Sequence, residues 1–105
     1  MEFDKYFVVF LKIGPEYSGM SEEEVQQLQV AHLAHIRHLA TIGKLIIAGP
    51  TPGASNDLRG LFILKTDTLE EAYALVGEDP AIKSGRLQIE IAPWMVEKGS
   101  LKTTL

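Results

Sequence analysis

The sequence contains no cysteine. That excludes a disulfide framework, a thiolate nucleophile and a zinc–thiolate site together, and it suits a chain kept in a reducing compartment, so cytoplasm is the expected location. Also missing is a cluster of basic residues: the ten Lys and Arg are scattered and the formal net charge is -4. Without such a footprint for a phosphate backbone, no nucleic-acid partner is expected. No apolar run approaches the roughly 20 residues a membrane helix needs, so no membrane partner is expected either. The start, "MEFDKYFVVFLKIG", carries acids ahead of a short apolar run interrupted by Lys12, where a signal peptide would place basic residues before a longer one. Aromatics are sparse at 8%, and neither a low-complexity tract nor an internal repeat is present.

What is present belongs to an ordinary folded domain. The chain has 105 residues, 46% hydrophobic and 23% charged. Two cores of about fifty residues each would both be marginal, so a single domain over 1–105 is expected.

"KYFVVFLKI" (5–13) is rich in aromatic and β-branched residues and stops at Gly14-Pro15, which predicts a first strand. "SEEE" places Ser21 as N-cap with Glu24 three residues on, a capping box, and no breaker follows until Gly43. A helix of about twenty residues is predicted. "KLIIAG" reads as a short strand, and "PTPGASNDLRG" as an irregular connection able to close over a site. "LFILKT" (61–66) predicts a third strand. Thr68 and Glu71 form a second capping box that opens a short helix, with Gly77 in the stop position. In "EDPAIKSG", Pro80 can begin a single helical turn. "RLQIEIAPWMV" alternates from Leu87 to Ile91 with Arg86, Gln88 and Glu90 opposite, a fourth strand, and the tail "EKGSLKTTL" is expected to fray or dock on a partner.

The order βαββαβ is the ferredoxin-like α+β arrangement, an antiparallel sheet with two helices on one face. The first strand is apolar on both sides, Tyr6, Val8 and Phe10 against Phe7, Val9 and Leu11. A sheet covered on one face only would leave the other polar, so a homodimer through the open sheet face is expected.

All three histidines lie in "HLAHIRH", spaced H-x-x-H-x-x-H. At about 100° per residue, Val25, Leu28, Ile36 and Leu39 share a sector of roughly 80° that includes His32, with His35 at its edge and His38 about 120° away from His32. Residues at i, i+3 and i+6 of one helix fan outward and do not converge on one ion at about 2 Å, so no metal is expected. His32 is aimed at the core, where an imidazole needs partners for both ring nitrogens. Asp79, in the turn after the second helix, is the candidate. It can be a helix start and nothing more, or it can accept from one nitrogen of His32, fix its tautomer and leave the other as a base. With no cysteine, and with no serine in a nucleophile elbow, general acid/base work is the chemistry that this composition supports.

These segments resemble a known family. "AHLAHIRHLATIGKLIIAGP" and "TLEEAYALVGEDPAIKSGRLQIEIAPW" are similar to the H-L-x-x-L, G-x-L, x-A-G-P run and the S-x-E-E-A, D-P, G, terminal-strand P-F/W run of the YCII-related proteins, over nearly the whole chain. The resemblance implies a dimeric α+β barrel and a His-Asp site, with the histidine on His32 and the aspartate on Asp79. It puts Gly49 and Pro50 near the pocket mouth. His35 and Ser84 complete the candidate ligand-binding residues. Relatives often carry Arg where this chain has Gln29, and the characterised activity among them is dehydrochlorination of a chlorinated hydroxyquinol. No cofactor is implied. The expected function is acid/base elimination or isomerisation of an unidentified small cyclic or aromatic molecule. The alternative is a non-catalytic module in which the pair only ties two helices together. Whether Arg59, Lys83 or Arg86 reaches the pocket is open at this level.

Overall fold

The computed structural model describes residues 1–54 and 56–102. The expectation of a frayed or docked tail falls partly on residues 103–105, outside the described residues.

Four strands, β1 (Phe3–Ile13), β2 (Leu45–Pro50), β3 (Leu58–Leu64) and β4 (Leu87–Glu97), form one antiparallel sheet in the order β2-β3-β1-β4. Three helices connect them: α1 (Glu22–Thr41), α2 (Leu69–Gly77) and the single turn α3 (Pro80–Lys83). This is the ferredoxin-like α+β arrangement expected from the order of elements.

The sequence signals for α1 are realised in detail. Ser21 Oγ accepts from the Glu24 backbone N–H while the Glu24 carboxylate accepts from the Ser21 N–H. At the other end Gly43 takes a left-handed φ of 78°. There its N–H donates to the Ala40 carbonyl and the Lys44 N–H to the Leu39 carbonyl, which satisfies two carbonyls of the last turn.

Two boundaries differ from expectation in ways that bear on the site. Gly77 does not stop α2 in a left-handed turn; it is the last helical residue, followed by Glu78 in right-handed geometry and an extended Asp79. The ring of Pro80 disfavours helical backbone at Asp79, so the break falls there and α3 begins at once. β3 begins at Leu58 and ends at Leu64, because Arg59 and Gly60 continue the ladder beside Pro50 that their polar surroundings concealed. β4 runs through Pro93 as expected, which an edge strand tolerates because one row of its N–H groups needs no partner.

The core lies between the sheet and the helices. Phe7, Val9 and Leu11 of β1, Phe62 and Leu64 of β3, and Ile91 of β4 meet Ala72 and Val76 of α2. Alternation puts Tyr6, Val8, Phe10, Ile47, Leu61, Ile63, Ala92 and Trp94 on the opposite face, where Ile47 is 61% and Trp94 47% exposed. Gln88 and Glu90 share that open face, and Glu90 pairs with Lys12 at 2.8 Å. Arg86 does not. It precedes the strand, escapes its alternation and turns to the helix side.

Candidate functional site

α1 crosses the sheet with His32 and Leu39 buried beneath it. His32 is 9% exposed and Asp79 is completely buried. The two side chains meet: His32 Nδ1 hydrogen-bonds to Asp79 Oδ2. The second carboxylate oxygen, Oδ1, accepts from the Ala81 N–H at 2.9 Å and caps α3. Asp79 is therefore both the start of a helix and the partner of the histidine, two readings that the sequence left as alternatives. The cap fixes the carboxylate, and the carboxylate fixes the ring.

Since Asp79 accepts at Nδ1, the hydrogen there is donated, and in the neutral ring Nε2 is left with its lone pair. Nε2 has no hydrogen-bond partner among the described residues. The ring stacks on Phe62, centroids 6.2 Å apart with an interplanar angle of 24°. Phe62, only 1% exposed, in turn forms part of the core that keeps it in place.

His32 lines a cavity of about 410 Å³ between α1, the sheet and two loops. Leu11, Leu33, Ile36, Phe62 and Leu87 provide apolar walls, Gly49 and Pro50 the end of β2, and Tyr17, Gln29, Arg59 and Arg86 the polar groups. The volume lies within the range of about 300–1,000 Å³ usual for small-molecule sites. A base lone pair beside apolar walls can take a proton from a bound molecule and return it, which is the chemistry of elimination and isomerisation.

The cavity mouth depends on close contact between the β1–α1 loop and the α3–β4 loop. The Gly14 N–H donates to the Arg86 carbonyl at 2.8 Å and the Glu16 N–H to the Gly85 carbonyl at 2.9 Å. A Cβ on Gly14 would lie 2.2 Å from the Gly85 carbonyl oxygen, so only glycine permits the approach, and Gly85 itself has a φ of 80°. The stitched loops set Tyr17 beside Arg86, whose guanidinium donates to the Tyr17 carbonyl at 2.8 Å and lies 4.1 Å from its ring centroid.

The remaining candidates divide. Gly49 and Pro50 line the cavity. His35 does not: its Nε2 bonds to the Leu75 carbonyl at 2.8 Å and ties α1 to α2, because the edge of the apolar sector faces the neighbouring helix. Ser84 caps α3, its hydroxyl donating to the Ala81 carbonyl at 3.2 Å, away from the cavity. His38 is exposed. Arg59 and Arg86 reach the cavity, whereas Lys83 pairs with Glu78 on the surface at 2.9 Å. That hydrogen bond, together with the lysine's charge, holds the Glu78 carboxyl below its ordinary value. Tyr17 and Phe62 were not singled out by sequence. An aromatic isolated in the polar loop "GPEYSG" was the available signal for Tyr17; Phe62 looks like any core residue.

Among the described residues, no group of three or more His, Asp or Glu could hold a metal ion. No helix of the described residues is long and apolar enough to cross a membrane.

Comparison with known proteins adds to this geometry. The family model of the YCII-related domain matches residues 6–95. No curated protein sequence matches significantly. Among solved structures, the chain is similar to 5-chloro-2-hydroxyhydroquinone dehydrochlorinase (TftG) from Burkholderia phenoliruptrix AC1100, determined in complex with 2,5-dihydroxybenzoquinone. The TM-score is 0.63 and the identity 25%, over 85% of this chain and 92% of that one.

Proposed function

The chain belongs to the YCII-related domain family, and from that premise we propose that it is a cytoplasmic small-molecule enzyme whose His32, oriented by Asp79, moves a proton during elimination or isomerisation of a cyclic or aromatic compound. One observation carries the reading. His32 donates from Nδ1 to a completely buried carboxylate while its ring lines an apolar cavity. A histidine needed only for packing gains nothing from a second nitrogen left unpaired at a cavity. Likeness to a dehydrochlorinase supports the reaction class, because loss of HCl requires a base to take the proton as chloride departs. The catalytic roles fall to His32 as proton carrier and Asp79 as the group that holds its tautomer.

The test is a panel of chlorinated and unchlorinated hydroxyquinols and small lactones, followed by chloride release and by solvent-deuterium incorporation. Wild type is expected to turn over or exchange at least one of them, and His32→Asn to lose that activity. Equal rates for the two proteins would refute the role.

A second reading has its own observation. Asp79 caps α3 as well as holding His32, so the pair also ties α1 to α3, as it would in a non-catalytic ligand-binding module. That module would bind small rings in the cavity without exchange, and His32→Asn would change melting temperature and nothing else.

The quaternary state proposed with this function is a homodimer. Val8, Phe10, Ile47, Leu61, Ile63 and Trp94 make a continuous apolar face on the open side of the sheet, with the Lys12–Glu90 pair at one end. A second copy of the same face covers it with matched chemistry.

A further inference from the structure

The cavity beside His32 has walls of one charge sign. Its charged and titratable lining comprises His32, Arg59, Arg86 and the Tyr17 phenol, with no aspartate or glutamate among the lining residues. The Asp79 carboxylate lies behind the histidine, fully buried and committed to His32 and Ala81.

Neither arginine is neutralised. Ion pairs among the described residues run through lysines and His32, and none involves Arg59 or Arg86. Each guanidinium donates one bond to a backbone carbonyl, Arg59 to Leu58 at 2.9 Å and Arg86 to Tyr17 at 2.8 Å. Of five N–H donors on each, most remain free. Both guanidiniums pack on the Tyr17 ring, their carbons 5.7 and 4.1 Å from its centroid. One ring therefore holds two half-buried like charges on the lining of one cavity, an arrangement unfavourable by itself and favourable once an anion binds beside them.

We propose that Arg59 and Arg86, ordered by Tyr17, form an anion clamp, and that the ligand of this cavity is a small ring compound bearing a carboxylate or an acidic ring oxygen. The planar guanidinium fork suits a carboxylate or a pair of adjacent ring oxygens better than a neutral group. The ring then lies along Leu33, Ile36 and Phe62 with its reacting edge toward His32. This inference rests on the reading of the cavity as the working site of His32, and it names the substrate class of that site.

The experiment is calorimetric titration of the whole protein with 2,5-dihydroxybenzoate and with its uncharged amide. Wild type is expected to bind the acid at least about tenfold more tightly than the amide, and rising salt to weaken only the acid. Arg59→Gln combined with Arg86→Gln removes the preference by weakening the acid and sparing the amide. Gln29→Glu, at an exposed α1 position lining the same cavity, adds the wrong charge without burying it and likewise weakens only the acid. That second variant decides the matter if the double arginine variant does not fold. Equal affinities, a preference that survives these substitutions, or no binding of the acid at about 10 mM overturns the clamp. His32→Asn separates the two proposals: the acid preference persists in it, because the clamp acts on charge and not on a proton. Loss of catalysis with the preference retained therefore tests only the histidine.

Discussion

Replacing Asp79 separates its two roles. Asp79→Ala removes the acceptor of His32 Nδ1 and the cap of α3 in one step. A buried N–H without a partner costs about 1–3 kcal/mol, and loss of an N-cap about 1 kcal/mol. The variant should lose roughly 2–4 kcal/mol. At about 4–8 °C per kcal/mol for a domain near this size, its melting temperature should fall by about 8–32 °C. Asp79→Asn behaves differently. The amide oxygen can keep the Ala81 N–H, which leaves the amide NH2 facing Nδ1, and the other orientation would set NH2 against the Ala81 N–H and lose the cap. The ring then accepts at Nδ1 and carries its hydrogen on Nε2, so the lone pair leaves the cavity. Stability should fall by no more than about 1.5 kcal/mol while the proton acceptor disappears; where an acid-oriented histidine is forced into the wrong tautomer, rates fall on the order of 10⁴. Thermal melts of both variants and long-range ¹H–¹⁵N spectra of the His32 ring are the assays. An asparagine variant that keeps hydrogen on Nδ1, or one that melts as low as the alanine variant, refutes the reasoning.

Further outcomes follow from the same geometry. His35→Ala breaks the bond to the Leu75 carbonyl and should cost about 1 kcal/mol in urea titrations while ligand affinity in the cavity stays constant. Gly14→Ala drives a methyl group into the Gly85 carbonyl, so it should separate the two loops and weaken binding of 2,5-dihydroxybenzoate, read by calorimetry; unchanged affinity would show that the loop contact does not shape the mouth. Leu61→Lys, on the open face of a central strand, should convert the proposed dimer to a monomer in sedimentation velocity without unfolding it. With the glutamate held below its ordinary value, any contribution of the Glu78–Lys83 pair has the sign of one present at neutral pH and lost as pH falls through the lowered value; because the pair is exposed, solvent screens it, and Glu78→Gln should leave the melting temperature at pH 7 unchanged.

Much of the fold was legible because its signals are local. A Ser-x-x-Glu box, a glycine after the last helical turn and the alternation of β1 each act within a few residues, and each element formed where they stand. His32 was legible for the same reason, since helical periodicity alone turns it inward and turns His38 out. The misread start of β3 marks where nonlocal pairing wins. Polar Arg59 and Gly60 join β3 because Pro50 lies beside them.

The sequence by itself determined the secondary structure, the two apolar faces of the sheet and the direction of His32, all consequences of local sterics and periodicity. Only the tertiary structure decided which groups share the cavity. Asp79 lies far from His32 along the chain and meets it because α3 packs on α1, while Tyr17 and Arg86 come from two loops joined at the Gly14–Gly85 contact and Arg59 from the start of β3. Distances between loops depend on how the whole chain closes, and no periodicity within one segment encodes them.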